Sequence, residues 1–271
     1  MYKNFTILIT GASRGIGEEI ALKFAKEKCK IILLAKTLDF HPKLQGSLNS
    51  VAEKIRSLGS DCLPLQTDIR DELQVKNSIE KAINKFGGLN IVINNASAIE
   101  LKEMETISIK KFDLIHDLNL KGTYSIIKYT LPYLLKSQGN VLTISPPLNF
   151  NPKWFKNYVA YSQSKYSMSL LTLGFSEEFR DKIKFNSLWP RTAIYTAAME
   201  LLAGKDCKEL CRKPSIMADA AYLILNPKSK SSGIFYIDEQ VLKDEGIDSF
   251  TKYSYCPPEK ESQLMPDFFI D

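Results

Sequence analysis

The chain has 271 residues, of which 44% are hydrophobic, and a formal net charge of +5 at pH 7. This length and composition suit one large α/β domain and exclude a globally disordered chain. Basic residues alternate with acidic ones, which argues against a nucleic-acid partner, and no apolar run reaches membrane-spanning length. The five cysteines are scattered and odd in number, which favours reduced thiols inside a cell; with only two histidines in the chain, we expect no metal site.

A glycine-rich turn follows the first predicted strand, at residues 5–10, and opens a helical pattern over residues 15–28. A helix N-terminus presents unpaired N–H groups and the positive end of a dipole, so this corner is predicted to bind a phosphate group. Gly11 permits the tight turn, Gly15 lets phosphate approach the backbone, and Gly17 lets helix and strand pack closely. The predicted dinucleotide-binding turn comprises Gly11, Ala12, Ser13, Arg14, Gly15, Ile16 and Gly17.

Strand-like and helical patterns alternate along the rest of the chain. The predicted strands are 5–10, 30–36, 62–69, 89–96, 141–145, 185–189 and 234–237. The predicted helices are 15–28, 48–58, 71–86, 109–136, 158–180 and 215–225. This alternation predicts an α/β fold of the Rossmann type: a doubly wound, seven-stranded parallel sheet flanked by helices.

Residues 1–245 are predicted to form this cofactor-binding domain, and residues 246–271 a C-terminal tail packed on it. Residues 37–47, which include His41 and Pro42, are predicted to form an irregular loop. Residues 191–214 form a long connection on the side where the ligand is expected.

Ligands of such sheets bind at the carboxyl ends of the strands. Lys36 and Asp68 each end a predicted strand and are therefore candidate cofactor-binding residues. Lys36 ends the second strand, where an acidic residue would bind the ribose hydroxyls of NAD. A cation there, together with Arg14, suits the 2′-phosphate of NADP, so we predict NADP as the cofactor. The alternative for Lys36 is a solvated strand end. Asp68 ends the third strand and either hydrogen-bonds the adenine or caps the helix that starts near Asp71.

Two asparagines are candidate site residues, each for a different reason. Asn95 follows the fourth strand, where its amide would either tie neighbouring strand ends together beside the cofactor or form an Asx turn. Asn119 falls inside the predicted helix 109–136, where asparagine is mildly unfavourable and usually faces solvent.

Tyr161 and Lys165 are four residues apart on a predicted helix and therefore share one face. An unperturbed tyrosine loses its proton near pH 10, so it is a poor base at neutral pH. A neighbouring ammonium and a cationic nicotinamide would lower the pKa of the phenol, which could then exchange a proton with a carbonyl oxygen. The alternative is a surface pair that contributes only a few tenths of a kcal/mol.

The stretches T-G-A-S-R-G-I-G, N-N-A-S and Y-S-Q-S-K, with Asn119 between the last two, resemble the short-chain dehydrogenases/reductases over residues 5–245. The resemblance implies an oxidoreductase that uses NADP, in which Tyr161 is the acid/base and Lys165 lowers its pKa and holds the cofactor ribose. Asn119 would anchor a water relay. The serine that usually polarises the substrate carbonyl is the second of a Ser-Ser pair; here the pair is Ser145-Pro146, so only the first hydroxyl is present.

Five stretches resemble one branch of this family more closely: residues 35–37, 41–44, 144–149, 188–194 and 266–269. The longer members of that branch continue into a sterol-carrier-like lipid domain. This implies a lipid-related substrate and a peroxisomal or mitochondrial location, with the cytoplasm as the alternative. We also expect a homo-oligomer. The alternative function is a non-catalytic cofactor-binding or lipid-binding scaffold; Pro146 favours it, and the intact Tyr161 and Lys165 argue against it.

Overall fold

The computed structural model describes residues 1–39 and 46–271, so most of the predicted loop at 37–47 lies outside the described residues. Within them, one parallel sheet has the strand order β3-β2-β1-β4-β5-β6-β7. The order reverses between β1 and β4, and this switch point opens a crevice at the carboxyl ends of the strands. The doubly wound, seven-stranded parallel sheet is therefore confirmed. The strands are β1 (Thr6–Thr10), β2 (Lys30–Ala35), β3 (Asp61–Gln66), β4 (Ile91–Asn94), β5 (Asn140–Ile144), β6 (Lys184–Trp189) and β7 (Phe235–Ile237).

Helices cover both faces of the sheet, because successive side chains of the central strands point to opposite sides. On β1, Ile7 and Ile9 join one buried cluster and Leu8 joins the other. The helices are α1 (Gly15–Ala25), α2 (Leu48–Ser57), α3 (Glu72–Phe86), α4 (Ile109–His116), α5 (Thr123–Ser137), α6 (Val159–Glu178), α7 (Ala197–Ala203), α8 (Ser215–Ile224) and α9 (Asp238–Asp244). The sequence patterns did not predict α7 or α9, which have only seven residues each.

The predicted single helix over residues 109–136 is interrupted in the structure. A π-helical segment, Asp117–Gly122, separates α4 from α5 and contains Asn119. Such segments are rare and occur frequently at functional sites. Asn119 is fully buried there, so the expectation that a mid-helix asparagine faces solvent is wrong at this position.

The C-terminal segment packs against the connection that follows β6. Thr192 and Pro266 form an antiparallel bridge, and the Ala193 N–H donates to the Met265 carbonyl at 2.9 Å. These contacts bring the last residues of the chain to the carboxyl end of the sheet. Among the residues that the structure describes, no helix is both long and apolar enough to cross a bilayer.

Candidate active site

The glycine turn after β1 has the geometry of a phosphate cradle. Gly11 and Gly15 have φ angles of +64° and +59°, a region that favours glycine. A Cβ at Gly17 would lie 2.6 Å from the Gly11 carbonyl oxygen, and one at Gly15 would lie 3.3 Å from Cγ2 of Thr196. No side-chain hydrogen bond caps the N-terminus of α1 within the described part of the chain. The turn therefore fits the pyrophosphate of a dinucleotide.

Asn95 fastens the end of β4 to this turn. Its side-chain Nδ2 donates to the carbonyls of Thr10 and Gly11 at 2.9 and 3.1 Å. Its backbone N–H, and that of Ala96, donate to the Thr10 hydroxyl at 3.0 Å. The amide thus binds two neighbouring strand ends together and fixes the path of the glycine turn.

At the end of β2, the ammonium of Lys36 lies 3.5 Å from the carboxylate of Asp68 and is largely exposed. Asp68 also binds the Arg70 guanidinium through both carboxylate oxygens, at distances from 2.5 to 3.1 Å. This hydrogen bonding holds the pKa of Asp68 down at about 2. The expectation that Asp68 could cap the next helix is wrong, because Asp71 caps α3 through Leu73 N and Gln74 N.

Arg14 lies close to the start of α2. Its Nη2 donates to the Gly46 carbonyl at 2.8 Å, and partial burial lowers its pKa. Arg14 and Lys36 are the two cations predicted to recognise a phosphate. They follow the neighbouring parallel strands β1 and β2 and therefore lie at the same edge of the sheet.

Asn119 connects the loop after β4 to α6. Its Oδ1 accepts from Ala98 N at 2.8 Å, and its Nδ2 donates to the Ala98 carbonyl at 3.1 Å and to the Ser164 hydroxyl at 2.9 Å. Ser164 in turn donates to the carbonyl of Tyr161 at 2.8 Å. Asn119 therefore holds the turn of α6 that carries Tyr161.

Lys165 is buried on α6, with 2% of its surface exposed. Its ammonium donates to the Ile144 carbonyl at 2.8 Å and lies 4.9 Å from the centre of the Trp189 ring, a cation–π contact. Burial lowers the pKa of Lys165 to about 7, and the negative charge of Asp267 opposes this effect.

Tyr161 lies one helical turn away and is 4% exposed. Burial raises its pKa, and the negative charge of Asp267 raises it further. The sequence-based expectation was a lowered pKa. In the structure, desolvation moves the pKa of Tyr161 in the opposite direction.

Ser145 follows β5 and is fully buried. Its main chain is fixed, since its N–H donates to the Thr143 carbonyl at 3.0 Å and its carbonyl accepts from the Ser187 hydroxyl at 2.9 Å. Its own Oγ has no hydrogen-bond partner among the described residues. A buried hydroxyl without a partner is unusual and is available to a polar group that enters the site.

Sequence reasoning missed the contribution of Asp267, Phe268 and Phe269 to this site. The Phe268 carbonyl accepts from Nε1 of Trp189 at 2.8 Å. The Phe269 ring stacks on Tyr161, with centroids 6.2 Å apart and an interplanar angle of 29°. The only sequence feature that pointed to this role was an acidic residue beside an aromatic pair in an otherwise irregular tail.

The described acidic, cysteine and histidine side chains do not gather into a group of three or more that could hold a metal ion.

Comparison with known proteins shows which family the chain is similar to. The profile of the short chain dehydrogenase family matches residues 5–203. The chain is 49% identical over 267 residues to hydroxysteroid dehydrogenase-like protein 2 from Bos taurus and to the protein of that name from Homo sapiens. These alignments cover 98% of this chain but 63% of each relative, so the chain spans less than two thirds of their length.

Two solved structures have folds similar to that of this chain over its full length. A protein from Xanthomonas campestris has a TM-score of 0.94 and 38% identity, with 100% of this chain and 99% of that one covered. A short chain dehydrogenase from Mycobacterium thermoresistibile has a TM-score of 0.93 and 38% identity, with 100% and 96% covered. Because the family profile matches residues 5–203 and the alignments with the two relatives cover 98% of the chain at 49% identity, the chain belongs to the short-chain dehydrogenases, a family of oxidoreductases that bind a nicotinamide cofactor.

Proposed function

We propose that the protein transfers hydride between NADP(H) and the carbonyl or alcohol of a lipid-related substrate. The observation that carries the proposal is the convergence of Tyr161 and Lys165 on one buried face of α6, held by Asn119 through Ser164. This pair stands at the carboxyl end of the same sheet that carries the glycine turn. A surface ion-dipole pair would not be buried in this way.

The proposed roles follow from the contacts of each residue. The nicotinamide, when bound, supplies or accepts the hydride. Tyr161 donates the proton from its Oη to the substrate oxygen during reduction and takes it back during oxidation. Lys165 supplies a positive charge beside Tyr161 and binds the cofactor ribose. Ser145, whose hydroxyl lacks a partner, donates to the substrate oxygen.

The preference for NADP rests on Arg14 and Lys36 at neighbouring strand ends. The Lys36 ammonium already lies beside the Asp68 carboxylate, which weakens its positive field. Because it is 62% exposed, it can turn toward a 2′-phosphate, which carries more negative charge than one carboxylate. The Asp68 carboxylate is bound by Arg70 and lies beside Lys36. Asp68 would therefore hold Lys36 beside the adenosine rather than bind the adenine itself.

The proposed apolar substrate is supported by aromatic side chains near Tyr161. Phe268 makes edge-to-face contacts with Tyr158 at 5.8 Å and with Tyr161 at 6.2 Å. Leu148 and Trp154 pack against the same buried cluster. Such a lining favours an elongated apolar ketone or alcohol, either fatty acyl or steroid-like.

We also propose a location and an assembly for the protein. The sequence resemblance supports a location in the peroxisome or mitochondrion, with the cytoplasm as the alternative. Imaging of a tagged full chain tests this location.

The proposed homo-oligomer is supported by α6, on which Leu170 and Leu173 are 53% and 44% exposed. Sedimentation of the wild type against Leu170→Glu tests the assembly.

The function is tested by a screen of carbonyls and alcohols of increasing chain length, followed at the nicotinamide absorbance. We expect turnover with NADPH that improves with apolar chain length and is lost in Tyr161→Phe. Tyr166→Phe is the matched control, because Tyr166 lies on the same helix and its hydroxyl is occupied by the Asn149 carbonyl at 2.6 Å. Equal specificity for short and long ketones would contradict the lipid-related substrate.

The second candidate is a non-catalytic scaffold of the same fold. It is favoured by Pro146, which offers no hydroxyl or N–H at the position after Ser145, and by the complete burial of Ser145. This candidate predicts saturable NADPH binding without turnover of any carbonyl, and the same screen separates the two.

A further inference from the structure

The ring of Phe268 lies against two tyrosines at the start of α6. Tyr158 directly precedes this helix, and Tyr161 belongs to its first turn. The centre of the Phe268 ring lies 5.8 Å from that of Tyr158 and 6.2 Å from that of Tyr161, with interplanar angles of 88° and 73°. Edge-to-face pairs at such distances are favourable. Phe268 therefore packs directly beside the proposed acid/base.

The main chain around Phe268 is fixed to the end of β6. The Phe268 carbonyl accepts from Nε1 of Trp189 at 2.8 Å. One residue earlier, the Asp267 N–H donates to the Arg191 carbonyl at 3.0 Å. The backbone of Phe268 therefore cannot withdraw from Tyr161 unless these hydrogen bonds break.

The next residue, Phe269, anchors the same segment. Its ring is 1% exposed and lies 5.0 Å from Tyr166 and 5.9 Å from Trp189, centre to centre. Its φ of +71° is uncommon for a bulky residue, and such a backbone persists only where the surroundings determine it strongly. Phe268, in contrast, is only half-buried. Phe269 therefore holds the segment in place, whereas Phe268 keeps part of its surface exposed beside Tyr161.

The groups proposed to react are almost completely covered. Ser145 is fully buried, and Tyr161 and Lys165 are 4% and 2% exposed. A substrate carbonyl can therefore reach Tyr161 only through a narrow opening. Because Phe268 contacts Tyr161 and is itself partly exposed, its ring forms a wall of that opening.

Two classes of apolar substrate differ in how they fit a narrow opening. An alkyl chain has rotatable bonds, and in its extended form it is no wider than a single methylene chain. A fused ring system is rigid and keeps its full width close to the carbonyl. In a close-packed site, a group that is too wide forces side chains and backbone to shift, which costs free energy. A fixed aromatic wall beside the reacting oxygen therefore selects on width rather than on length.

We propose that Phe268 is a specificity-determining residue that limits the width of the substrate beside its carbonyl, so that the protein takes straight-chain ketones and alcohols and rejects fused-ring ones. This inference rests on the proposed function and selects the fatty acyl class from the two classes named there. The straight chain packs along the exposed part of the Phe268 ring, and its oxygen reaches Tyr161.

The test compares 2-decanone with 2-decalone, which has the same number of carbon atoms in two fused rings. With saturating NADPH, the wild type should have a higher kcat/KM for 2-decanone by about tenfold or more, the discrimination that small differences in shape give in an apolar pocket. Phe268→Ala should bring this ratio close to one by raising kcat/KM for 2-decalone. Phe268→Leu, which keeps an apolar contact and is the milder change for folding, should move the ratio the same way by a smaller factor.

Phe150→Ala is the matched control. The Phe150 ring is 69% exposed and lies 6.2 Å from Tyr166, so its removal should leave the ratio between the two ketones unchanged. A wild-type ratio in both Phe268 variants would mean that the ring does not limit the opening, and it would overturn the proposal. An equal fall in kcat/KM for the two ketones would mean that Phe268 only supports the fold, and it would overturn the proposal as well.

A binding measurement separates this proposal from the proposed function. Calorimetric titration of the NADP-saturated protein with each ketone measures selection without turnover. Tighter binding of 2-decanone by the wild type, with the difference lost in Phe268→Ala, would support the width limit even if neither ketone is reduced; only the proposed function would then fail. Equal binding of the two ketones by the wild type, or no binding of either, would overturn the proposal whatever the protein turns over.

Discussion

Phe269→Ala is the sharpest test of the tail as part of the active site. The Phe269 ring is almost fully buried among aromatic side chains of α6, β6 and the loop after β5. Truncation of a buried phenylalanine to alanine costs about 3–5 kcal/mol. At about 2–4 °C per kcal/mol for a domain near this size, the Tm should fall by about 6–20 °C.

A second outcome is physically distinct and also measurable. Because Phe269 is near a chain end, the tail can undock while the sheet stays folded, and the loss of stability is then limited to the cost of undocking. Calorimetry would show a smaller fall in Tm, while limited proteolysis would show faster cleavage after residue 264 than in the wild type. In both cases kcat should fall, since the aromatic rings of Phe268 and Phe269 are displaced from Tyr161.

The matched control is Phe269→Leu, which keeps most of the buried volume and should lose less than half as much stability. A Tm within about 2 °C of the wild type, together with unchanged proteolysis of the tail, would refute the reasoning. Such a result would mean that the aromatic contacts of Phe269 do not hold the segment in solution.

Three further predictions concern the remaining site residues. Tyr161→Phe should leave the Tm and NADPH binding nearly unchanged and lower kcat by at least about 10²-fold, measured by steady-state kinetics; a well-folded variant with full activity would remove Tyr161 from the mechanism. Lys36→Ala should weaken NADP binding about tenfold or more, since one charge-assisted hydrogen bond contributes about 1.5–3 kcal/mol, and should leave NAD binding unchanged in calorimetric titration; an equal loss for both cofactors would contradict phosphate recognition. Ser145→Ala should lower single-turnover rates by about 10²–10³-fold while the Tm stays level or rises, because the removed hydroxyl has no partner in the fold; a change below about threefold would place the carbonyl donor elsewhere.

The sequence by itself determined the features that depend on short-range patterns. Alternating strand and helix periods predicted the parallel sheet, because each period reflects which side chains a single element can bury. Glycine spacing predicted the turn after β1, since glycine adopts the positive φ angles of Gly11 and Gly15 more readily than other residues do. The four-residue separation of Tyr161 and Lys165 placed them on one helix face for the same local reason.

Only the tertiary structure decided what surrounds these residues. Asn119 is buried because a π-helical segment turns it toward Ala98 and Ser164, which are distant in sequence. The carboxylate of Asp68 binds Arg70 and does not cap α3. The sequence left the capping role open, and the structure decided it because α3 begins at Glu72, directly after its cap Asp71.

The sequence did not predict the surroundings of Tyr161 and Lys165 on α6 either. The Phe269 ring stacks on Tyr161 across about one hundred residues of chain, and no periodicity in the sequence predicts such a contact. The direction in which the pKa of Tyr161 moves follows from burial, which is a property of everything packed around a group. Local sequence patterns therefore placed the candidate reacting groups, whereas long-range packing set their charge, their solvent access and their neighbours.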